Sequence, residues 1–331
     1  MLYRQLPNAS LRVSEIAFGS GGNAGLMVRG SAADQQRTVA RALELGINYF
    51  DTAPDYGDGA AEANLGRAFN TLAAHPIITS KVEVRREHLD DIASHVVRSC
   101  ESSLRRLQIE RLDCLQIHNG PTLGNPELEG RSYRRLALRD FVGTRGALEG
   151  LGRLKAAGKI SCAGFVCRAG DAEAIHALLR TQAVQLINLS YSMADAGAAA
   201  TACQNGGIME AARMHAIGCA VFSPLAGGVL SDDYLDHAAL HPLARPHDPS
   251  SEKTQAAVAI ARRVRFLAVE NGLTLSQAAY RFILGHASVT TVIGGFSSVE
   301  QMEEITRVSG MGPFAPEDIA RVDAVLHQAN R

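Results

Sequence analysis

Three side chains that can exchange protons stand at the ends of three consecutive apolar runs. Asp51 follows INYF, Lys81 follows IITS and His118 follows CLQI. A fourth group, Tyr56, follows Asp51 by five residues in a turn that contains Pro54. A lone Asp in such a place often caps a helix, and a lone His often belongs to the core. Four groups after three neighbouring strands predict one shared site, because the ends of parallel strands meet at one mouth of a β/α barrel.

The chemistry of these four side chains suits proton transfer coupled to hydride transfer. A tyrosine titrates near about 10, which is too high for ready proton exchange at neutral pH. We expect the ammonium of Lys81 to lower the pKa of Tyr56, and Asp51 to hold that ammonium in place. Tyr56 then donates a proton to a carbonyl oxygen, or removes one from an alcohol, while His118 orients the oxygen.

The elements that must position these residues alternate along the chain. Short apolar runs separated by longer amphipathic stretches are typical of a parallel sheet with helical crossovers. The eight runs are Ile16 to Phe18, Ile47 to Phe50, Ile77 to Thr79, Cys114 to Ile117, Ala163 to Val166, Val184 to Ile187, Ala220 to Phe222 and Val289 to Ile293. With no break in composition between the units, they predict a single α/β domain over residues 1–331, a TIM (β/α)8 barrel.

Helices and turns complete this prediction. A hairpin is expected at the start, with strands Tyr3 to Leu6 and Leu11 to Val13, and a terminal helix over Pro316 to His327. The other predicted helices are Ala33 to Leu45, Ala61 to Leu72, Leu89 to Leu107, Leu148 to Ala157 and Thr254 to Glu270. Left-handed glycines are expected after helices at Gly46, Gly158, Gly218 and Gly272.

Three segments do not fit the repeat and are expected as loops on the catalytic rim, since each follows a strand. They are Asn119 to Arg145, Asp195 to Gly207 and Ser223 to Ser251. The first carries a group of arginines that suits a solvated or salt-bridged face, with an acidic substrate as the alternative. These are Arg131, Arg134, Arg135 and Arg139.

A competing signal lies after the first strand. Residues 19–24, GSGGNA, match the dinucleotide pattern G-x-G-x-x-[GA], and Asp51 has the type of the ribose-binding acid. That fingerprint needs a helix to begin at the third small residue, whereas Gly25 to Gly30 is expected to delay the helix. A Rossmann fold is therefore the disfavoured alternative.

Composition excludes several classes of function. Lys and Arg number 33 against 34 Asp and Glu, a net charge of −1, which argues against bulk binding of nucleic acid or anionic membrane. The six cysteines form no CxxC pair, so neither a disulfide framework nor a zinc site is expected. No secretory signal and no apolar run of the ~20 residues that span a bilayer is present. We expect a soluble, cytoplasmic protein without a metal, and no motif supports hydrolysis or phosphoryl transfer.

The residues around these four side chains resemble the aldo-keto reductase family. Residues 46–69, GINYFDTAPDYGDGAAEANLGRAF, resemble its signature around the catalytic Asp and Tyr, ITSKV carries the matching Lys and RLDCLQIHNG the matching His. Further matches run through GRLKAAGKISCAGF, AVFSPLAGGVLS and VIGGFSSVEQMEEI. The resemblance implies that Asp51, Tyr56, Lys81 and His118 are a catalytic tetrad in a TIM barrel capped by a hairpin.

It also implies a nicotinamide cofactor, NADP(H) or NAD(H), extended across the barrel rim. At its nicotinamide end the matching residues are Asn188, for the amide, and Phe222, for ring stacking; a barrel-core Phe is the other interpretation of Phe222. The pyrophosphate loop is matched by Ser223, Leu225 and Gly227. The adenosine end is matched by Ser297, Ser298, Gln301 and Glu304.

Two departures from the family pattern bear on the cofactor. Val166 and Cys167 replace the Ser-Asn pair common after the fifth strand, which puts the carboxamide contacts in question. Residues 294–304 contain no Lys or Arg, although a 2′-phosphate is normally clamped by such a cation. NADP is the default of the family, but a weak or reversed preference is predicted here.

The leading hypothesis is an NAD(P)-dependent oxidoreductase that interconverts a carbonyl and an alcohol, with an aldehyde, ketone or sugar as its small-molecule substrate. Oxidation of an aldose at C1 is the alternative within the family. A nicotinamide-sensing partner subunit, a role that the fold has in some ion-channel assemblies, is the alternative of another class. A monomer is the default expectation.

Overall fold

Eight parallel strands close into a barrel in the computed structural model, which describes residues 1–126, 134–168, 170–194, 207–246 and 248–329. The barrel strands are β3 (Ile16–Gly19), β4 (Tyr49–Asp51), β5 (Ile77–Val82), β6 (Leu112–Ile117), β9 (Ile160–Val166), β10 (Leu186–Ser190), β11 (Gly218–Phe222) and β12 (Thr291–Gly295). Around the barrel the order is β3-β4-β5-β6-β9-β10-β11-β12, with β12 paired to β3. The predicted TIM barrel is confirmed, and each of the eight apolar runs overlaps one of its strands.

Among the described residues, two small sheets lie outside the barrel. The antiparallel hairpin consists of β1 (Tyr3–Gln5) and β2 (Arg12–Ser14), as predicted. The segment after β6, expected as a loop, forms a short parallel pair of β7 (Gly120–Thr122) with β8 (Arg135–Ala137). The two strands of this pair are separated by other residues in the chain, so the local periodicity of the sequence does not predict their pairing.

Helices cover the outside of the barrel. In chain order they are α1 (Leu26–Arg29), α2 (Ala32–Glu44), α3 (Ala60–Leu72), α4 (Ile92–Leu107), α5 (Leu138–Val142), α6 (Ala147–Ala156), α7 (Ala172–Arg180), α8 (Ile208–Met214), α9 (Asp232–His237), α10 (Glu252–Val264), α11 (Phe266–Glu270), α12 (Leu275–Leu284), α13 (Val299–Thr306) and α14 (Pro316–Ala329). The terminal helix α14 is confirmed, and it buries Val322 and Leu326. Of the described helices, none is long and apolar enough to cross a membrane.

Two helix predictions need correction. The helix expected over Thr254 to Glu270 is divided into α10 and α11 at Arg265. The apolar periodicity of the sequence continues through this position, so it does not mark the break. The stretch from Gly25 to Gly30, expected to delay the helix, holds the four-residue α1. That helix does not create a Rossmann unit, since β3 belongs to a closed barrel.

Three of the four predicted left-handed glycines have positive φ: 86° at Gly46, 69° at Gly158 and 63° at Gly272. The prediction for Gly218 is wrong, because this residue lies in β11 and Ala216, with φ 53°, makes the left-handed turn before it. A Cβ atom at Gly218 would lie 2.1 Å from Leu6 Cδ1, so this glycine leaves room for the hairpin.

The barrel interior is apolar at its base and polar at its mouth. Leu6 and Val13 of the hairpin segment pack into the base against Tyr49, Cys114 and Cys162, all at most 2% exposed. Burying a side chain of the size of Leu6 stabilises the fold by roughly 1.5–3 kcal/mol. Towards the C-terminal ends of β4, β5 and β6 the buried positions include charged and polar residues, namely Asp51, Lys81 and Gln116.

Candidate active site

A buried ion pair joins the ends of β4 and β5. Lys81 Nζ lies 2.5 Å from Asp51 Oδ1, and the two side chains are 2% and 5% exposed. The ammonium also donates to the carbonyl oxygen of Thr52 at 2.8 Å. Asn188 Nδ2, from β10, donates to the second oxygen of Asp51 at 3.1 Å. Each oxygen of the carboxylate therefore has a donor, which offsets much of its desolvation cost.

The charge of Asp51 keeps Lys81 ionised in this setting. Burial acts to lower the pKa of Lys81, but the charge of Asp51 opposes it and the net pKa is raised. Lys81 is thus a fixed ammonium at the floor of the barrel mouth.

Tyr56 lies directly over this ammonium. Its hydroxyl oxygen is 3.4 Å from Lys81 Nζ, and Nζ is 5.0 Å from the centre of the phenol ring. The loop that folds the phenol back uses positive φ at three successive residues, Gly57, Asp58 and Gly59. Glycine adopts this conformation without steric cost, which accounts for the two glycines in this turn.

The expected lowering of the Tyr56 pKa is not what the structure gives. Burial raises the pKa of Tyr56, and the charge of Lys81 only opposes that rise, while Asp51 and Asp55 add to it. The neighbouring carboxylates cancel part of the effect of the ammonium. Tyr56 is therefore held as a neutral phenol, the form that donates a proton.

His118 completes the group from the end of β6. The residue is 7% exposed, and its ring meets the Tyr56 ring edge to face, with 6.0 Å between centroids and 79° between planes. The backbone N–H of His118 donates to Val82 O at 2.8 Å, which holds the residue beside β5. The structure thus brings together all four residues singled out at the strand ends.

Asp55, which no motif singles out, also contacts this group. Its Oδ1 atom lies 3.2 Å from Nδ1 of His118, and its side chain is 31% exposed. Burial acts to raise the pKa of Asp55, but the hydrogen bond and charge of His118 oppose it and the net pKa is lowered. The one signal in the sequence is its position directly before Tyr56.

Buried polar atoms without a partner mark where a ligand could be recognised. Within the described part of the chain, Asn188 Oδ1, Thr52 Oγ1 and both amide atoms of Gln116 make no hydrogen bond. Such atoms cost about 1–3 kcal/mol each unless a ligand or water satisfies them. Asn188 Oδ1 is an acceptor beside the Lys81–Asp51 pair, so it suits the amino group of a carboxamide. The residues present therefore fit a nicotinamide.

The segment after β11 contains the residues predicted along the pyrophosphate. Phe222 ends the strand, half-buried, and packs against a buried apolar cluster inside the barrel. Ser223 and Gly227 both have positive φ, 59° and 75°, and Leu225 precedes a short 3-10 turn over Ala226–Gly228. The chain therefore bends sharply after this strand.

The residues predicted at the adenosine end do not all share one environment. Ser297 Oγ donates to Ala24 O at 2.7 Å, and its backbone N–H donates to Gln301 Oε1 at 2.9 Å. Ser298 caps α13 by accepting from the backbone N–H of Gln301. The carboxylate of Glu304 instead accepts from the hydroxyl of Thr274, at the start of α12.

The two residues that depart from the family pattern are buried. Val166 is 2% and Cys167 8% exposed, and burial raises the pKa of the Cys167 thiol. Neither side chain offers the strong hydrogen bonds of a Ser-Asn pair.

Parts of the predicted rim loops lie outside the described residues. These are residues 127–133, with Arg131, residues 195–206, with Cys203, and residue 247. Of the other arginines in the first loop, Arg139 donates to Asn125 Oδ1 at 2.6 Å, in line with the salt-bridged or solvated face expected there.

Comparisons with known proteins address the family of the chain. The sequence model described as the aldo/keto reductase family matches residues 15–327. L-galactose dehydrogenase of Arabidopsis thaliana is 27% identical over 98% of this chain and 93% of its own length. L-glyceraldehyde 3-phosphate reductase of Escherichia coli K12 is 24% identical over 98% of this chain and 92% of its own.

Among solved structures, the holo form of an aldo-keto reductase from Bacillus halodurans superposes with a TM-score of 0.74. It is 22% identical, and the match covers 98% of this chain and 96% of that one. This likeness concerns the fold.

Proposed function

Since the chain belongs to the aldo/keto reductase family, we propose that it is an NAD(P)-dependent oxidoreductase that interconverts a carbonyl and an alcohol at the mouth of its barrel. One observation carries the proposal: Nζ of Lys81, which is paired with Asp51 in a buried position, lies 3.4 Å from the hydroxyl oxygen of Tyr56, and His118 lies beside that tyrosine. In this arrangement a phenol proton can be given up and the resulting charge stabilised where the substrate oxygen would lie.

In the direction of reduction, Tyr56 is the general acid. A reduced nicotinamide, when bound, would supply the hydride for the carbonyl carbon. Tyr56 gives its hydroxyl proton to the carbonyl oxygen, so the carbonyl gains one hydride and one proton and becomes an alcohol. The phenolate left on Tyr56 lies beside the ammonium of Lys81, which stabilises it until a proton from solvent restores the phenol. In oxidation, the phenolate removes the alcohol proton.

The remaining two residues position these groups. Asp51 holds the ammonium of Lys81 in place through the 2.5 Å contact. His118 lies beside Tyr56 and is placed to hydrogen-bond the substrate oxygen.

Two sets of residues are proposed to hold the cofactor. At the nicotinamide end they are Asn188, through its unpartnered Oδ1 atom, and Phe222, with Ser223, Leu225 and Gly227 along the pyrophosphate. At the adenosine end they are Ser297, Ser298, Gln301 and Glu304, although the contact between Glu304 and Thr274 makes its part the weakest.

NADP(H) is the default cofactor of the family. At the adenosine end of this site, we propose that the preference for NADP(H) over NAD(H) is weak or reversed. Residues 294–304 hold no basic side chain. The charge of Arg37 reaches Glu300 there, but Arg37 is already paired with Asp34 at 2.7 Å. A 2′-phosphate therefore lacks a dedicated cation in this segment.

The substrate is proposed to be a small aldehyde, ketone or sugar. The names of the two relatives, a galactose dehydrogenase and a glyceraldehyde phosphate reductase, favour a polyhydroxylated carbonyl or an aldose oxidised at C1. We further propose that residues 1–331 act as one domain and as a monomer in the cytoplasm.

Steady-state absorbance at the nicotinamide band tests the proposal directly. Panels of aldehydes, ketones and aldoses are run with NADPH and NADH, and the alcohols and aldoses with the oxidised cofactors. Turnover with at least one carbonyl or sugar is expected. Tight binding of both nicotinamides without turnover of any substrate would contradict it and favour the nicotinamide-sensing partner subunit.

A further inference from the structure

The pairing of Asp55 with His118 has no part in the mechanism proposed above. The two residues come from different strand ends: Asp55 lies in the loop after β4, and His118 directly follows β6. Their contact of 3.2 Å joins the carboxylate to Nδ1 of the ring. The backbone N–H of His118 donates to Val82 O at 2.8 Å, which holds the backbone that carries the ring beside β5.

A carboxylate at Nδ1 decides which ring nitrogen carries the proton. Ionised, it only accepts hydrogen bonds, so it favours the tautomer with hydrogen on Nδ1. In the neutral ring Nε2 then has no hydrogen and keeps its lone pair. In the charged ring Nε2 carries a hydrogen and donates to the carbonyl oxygen that takes up the proton of Tyr56. The charged ring is therefore the form that orients the carbonyl.

Other charged groups also interact electrostatically with Asp55 and His118. Lys81 acts on Asp55 from β5, while Asp51 and Tyr56 contact that same ammonium. Glu83, which follows β5, is within electrostatic range of both Asp55 and His118. It is itself paired with Arg85 at 3.2 Å, which offsets part of its charge.

We propose that Asp55 is a positioning residue that acts through His118: it accepts the hydrogen bond from Nδ1, so that Nε2 is the nitrogen presented to the substrate oxygen, and it stabilises the charged ring. The proposal deepens the proposed function and rests on it, since it concerns the same reaction. It adds a residue to the four at the strand ends and gives the histidine a defined tautomer.

Asp55 can be changed without disturbing the core, because its side chain is 31% exposed in a loop. Asp55→Ala removes both the acceptor and the charge, whereas Asp55→Asn keeps an oxygen acceptor and removes only the charge. Asp58→Asn is the matched control: it removes a charge from an exposed position of the same loop, at φ 50°, a conformation that Asn accepts readily.

The direct readout is the ring nitrogen spectrum of ¹⁵N-histidine-labelled protein, with the His118 signals identified by their loss in His118→Gln. Hydrogen on Nδ1 of neutral His118 is expected in the wild type, in Asp55→Asn and in Asp58→Asn, and on Nε2 in Asp55→Ala. Hydrogen on Nε2 in the wild type, or an unchanged tautomer in Asp55→Ala, overturns the proposal. This readout needs no turnover, so it distinguishes failure of the proposal from failure of the proposed function.

Kinetics give the second readout. Loss of one oriented hydrogen bond is expected to lower kcat/KM of Asp55→Ala about three- to tenfold, with cofactor affinity unchanged. In Asp55→Asn the charged ring loses a neighbouring carboxylate, so kcat/KM for carbonyl reduction is expected to fall below that of Asp58→Asn even though the Nδ1 tautomer is kept. A kcat/KM for Asp55→Asn equal to that of Asp58→Asn contradicts the electrostatic part of the proposal.

Discussion

Asp51 and Lys81 form an ion pair with 2.5 Å between Oδ1 and Nζ, closed off from solvent at the floor of the barrel mouth. Because bulk water does not reach either group, each depends on the other to balance its charge. The pair therefore couples the stability of the barrel to the chemistry of the site above it.

Removing one charge of this pair is expected to destabilise the protein strongly. Asp51→Asn leaves the Lys81 ammonium buried without a counter-charge, and breaking such a pair typically costs about 3–5 kcal/mol. Urea denaturation of wild type and variant measures the loss in free energy of unfolding. Arg153→Gln is the control, because it breaks an exposed pair with Glu149 and is expected to cost at most about 1 kcal/mol. Equal losses in the two variants would contradict the account of the buried pair.

The packing of α3 against the end of α4 gives a second prediction. A Cβ atom at Gly66 would lie 2.4 Å from the carbonyl oxygen of Leu107, so Gly66→Ala must separate the two helices. We expect a loss of about 1–3 kcal/mol in thermal or urea unfolding. Gly152→Ala, on the exposed face of α6 with no atom within 4 Å of the new methyl, is expected to gain about 0.5–1 kcal/mol. Variants that change stability in the same direction would refute this.

A stacked pair of histidines predicts how stability depends on pH. His88 and His95 stack with 3.4 Å between ring centroids, and burial, with a smaller contribution from the charge of His88, lowers the pKa of His95 to about 4. The unfolded chain takes up a proton near about pH 6.5. The contribution of neutral, buried His95 to the free energy of unfolding is therefore complete above that pH and is lost as the pH falls towards 4.

Denaturation at about pH 7.5, 5.5 and 4.5, which spans the two protonation ranges, measures this loss. His95→Gln, which can still donate to the carbonyl oxygen of Glu83, is expected to weaken the dependence, whereas the exposed His75→Gln is expected to leave it unchanged. A wild-type stability that does not fall over this interval contradicts the prediction.

The fold was predictable because its signals are local. Eight apolar runs identify the barrel strands, and residues 46–69 carry the family signature, so Asp51, Tyr56, Lys81 and His118 could be singled out from the sequence. The contact between Asp55 and His118 joins residues far apart in the chain, and local patterns do not predict it. The raised pKa of Tyr56 depends in the same way on burial and on Asp55, neither of which the strand-end pattern specifies.

Cofactor preference follows from the charges at the start of α13. We expect fluorescence titration to give an NADPH affinity no more than about tenfold above that for NADH, because residues 294–304 contain no cation for the 2′-phosphate. Glu300 is exposed there, and Glu300→Gln is expected to strengthen NADPH binding relative to NADH at low salt. A strong NADPH preference in the wild type would overturn this interpretation of the segment.

The role of Tyr56 as the proton donor is the central claim, and turnover of Tyr56→Phe tests it most directly. Phenylalanine keeps the ring beside His118 and above Lys81 but has no hydroxyl. With the carbonyl substrate found in the absorbance panel, kcat is expected to fall by on the order of 10²-fold or more, while the cofactor Kd measured by fluorescence stays within about threefold. Turnover of Tyr56→Phe close to that of the wild type would contradict the account.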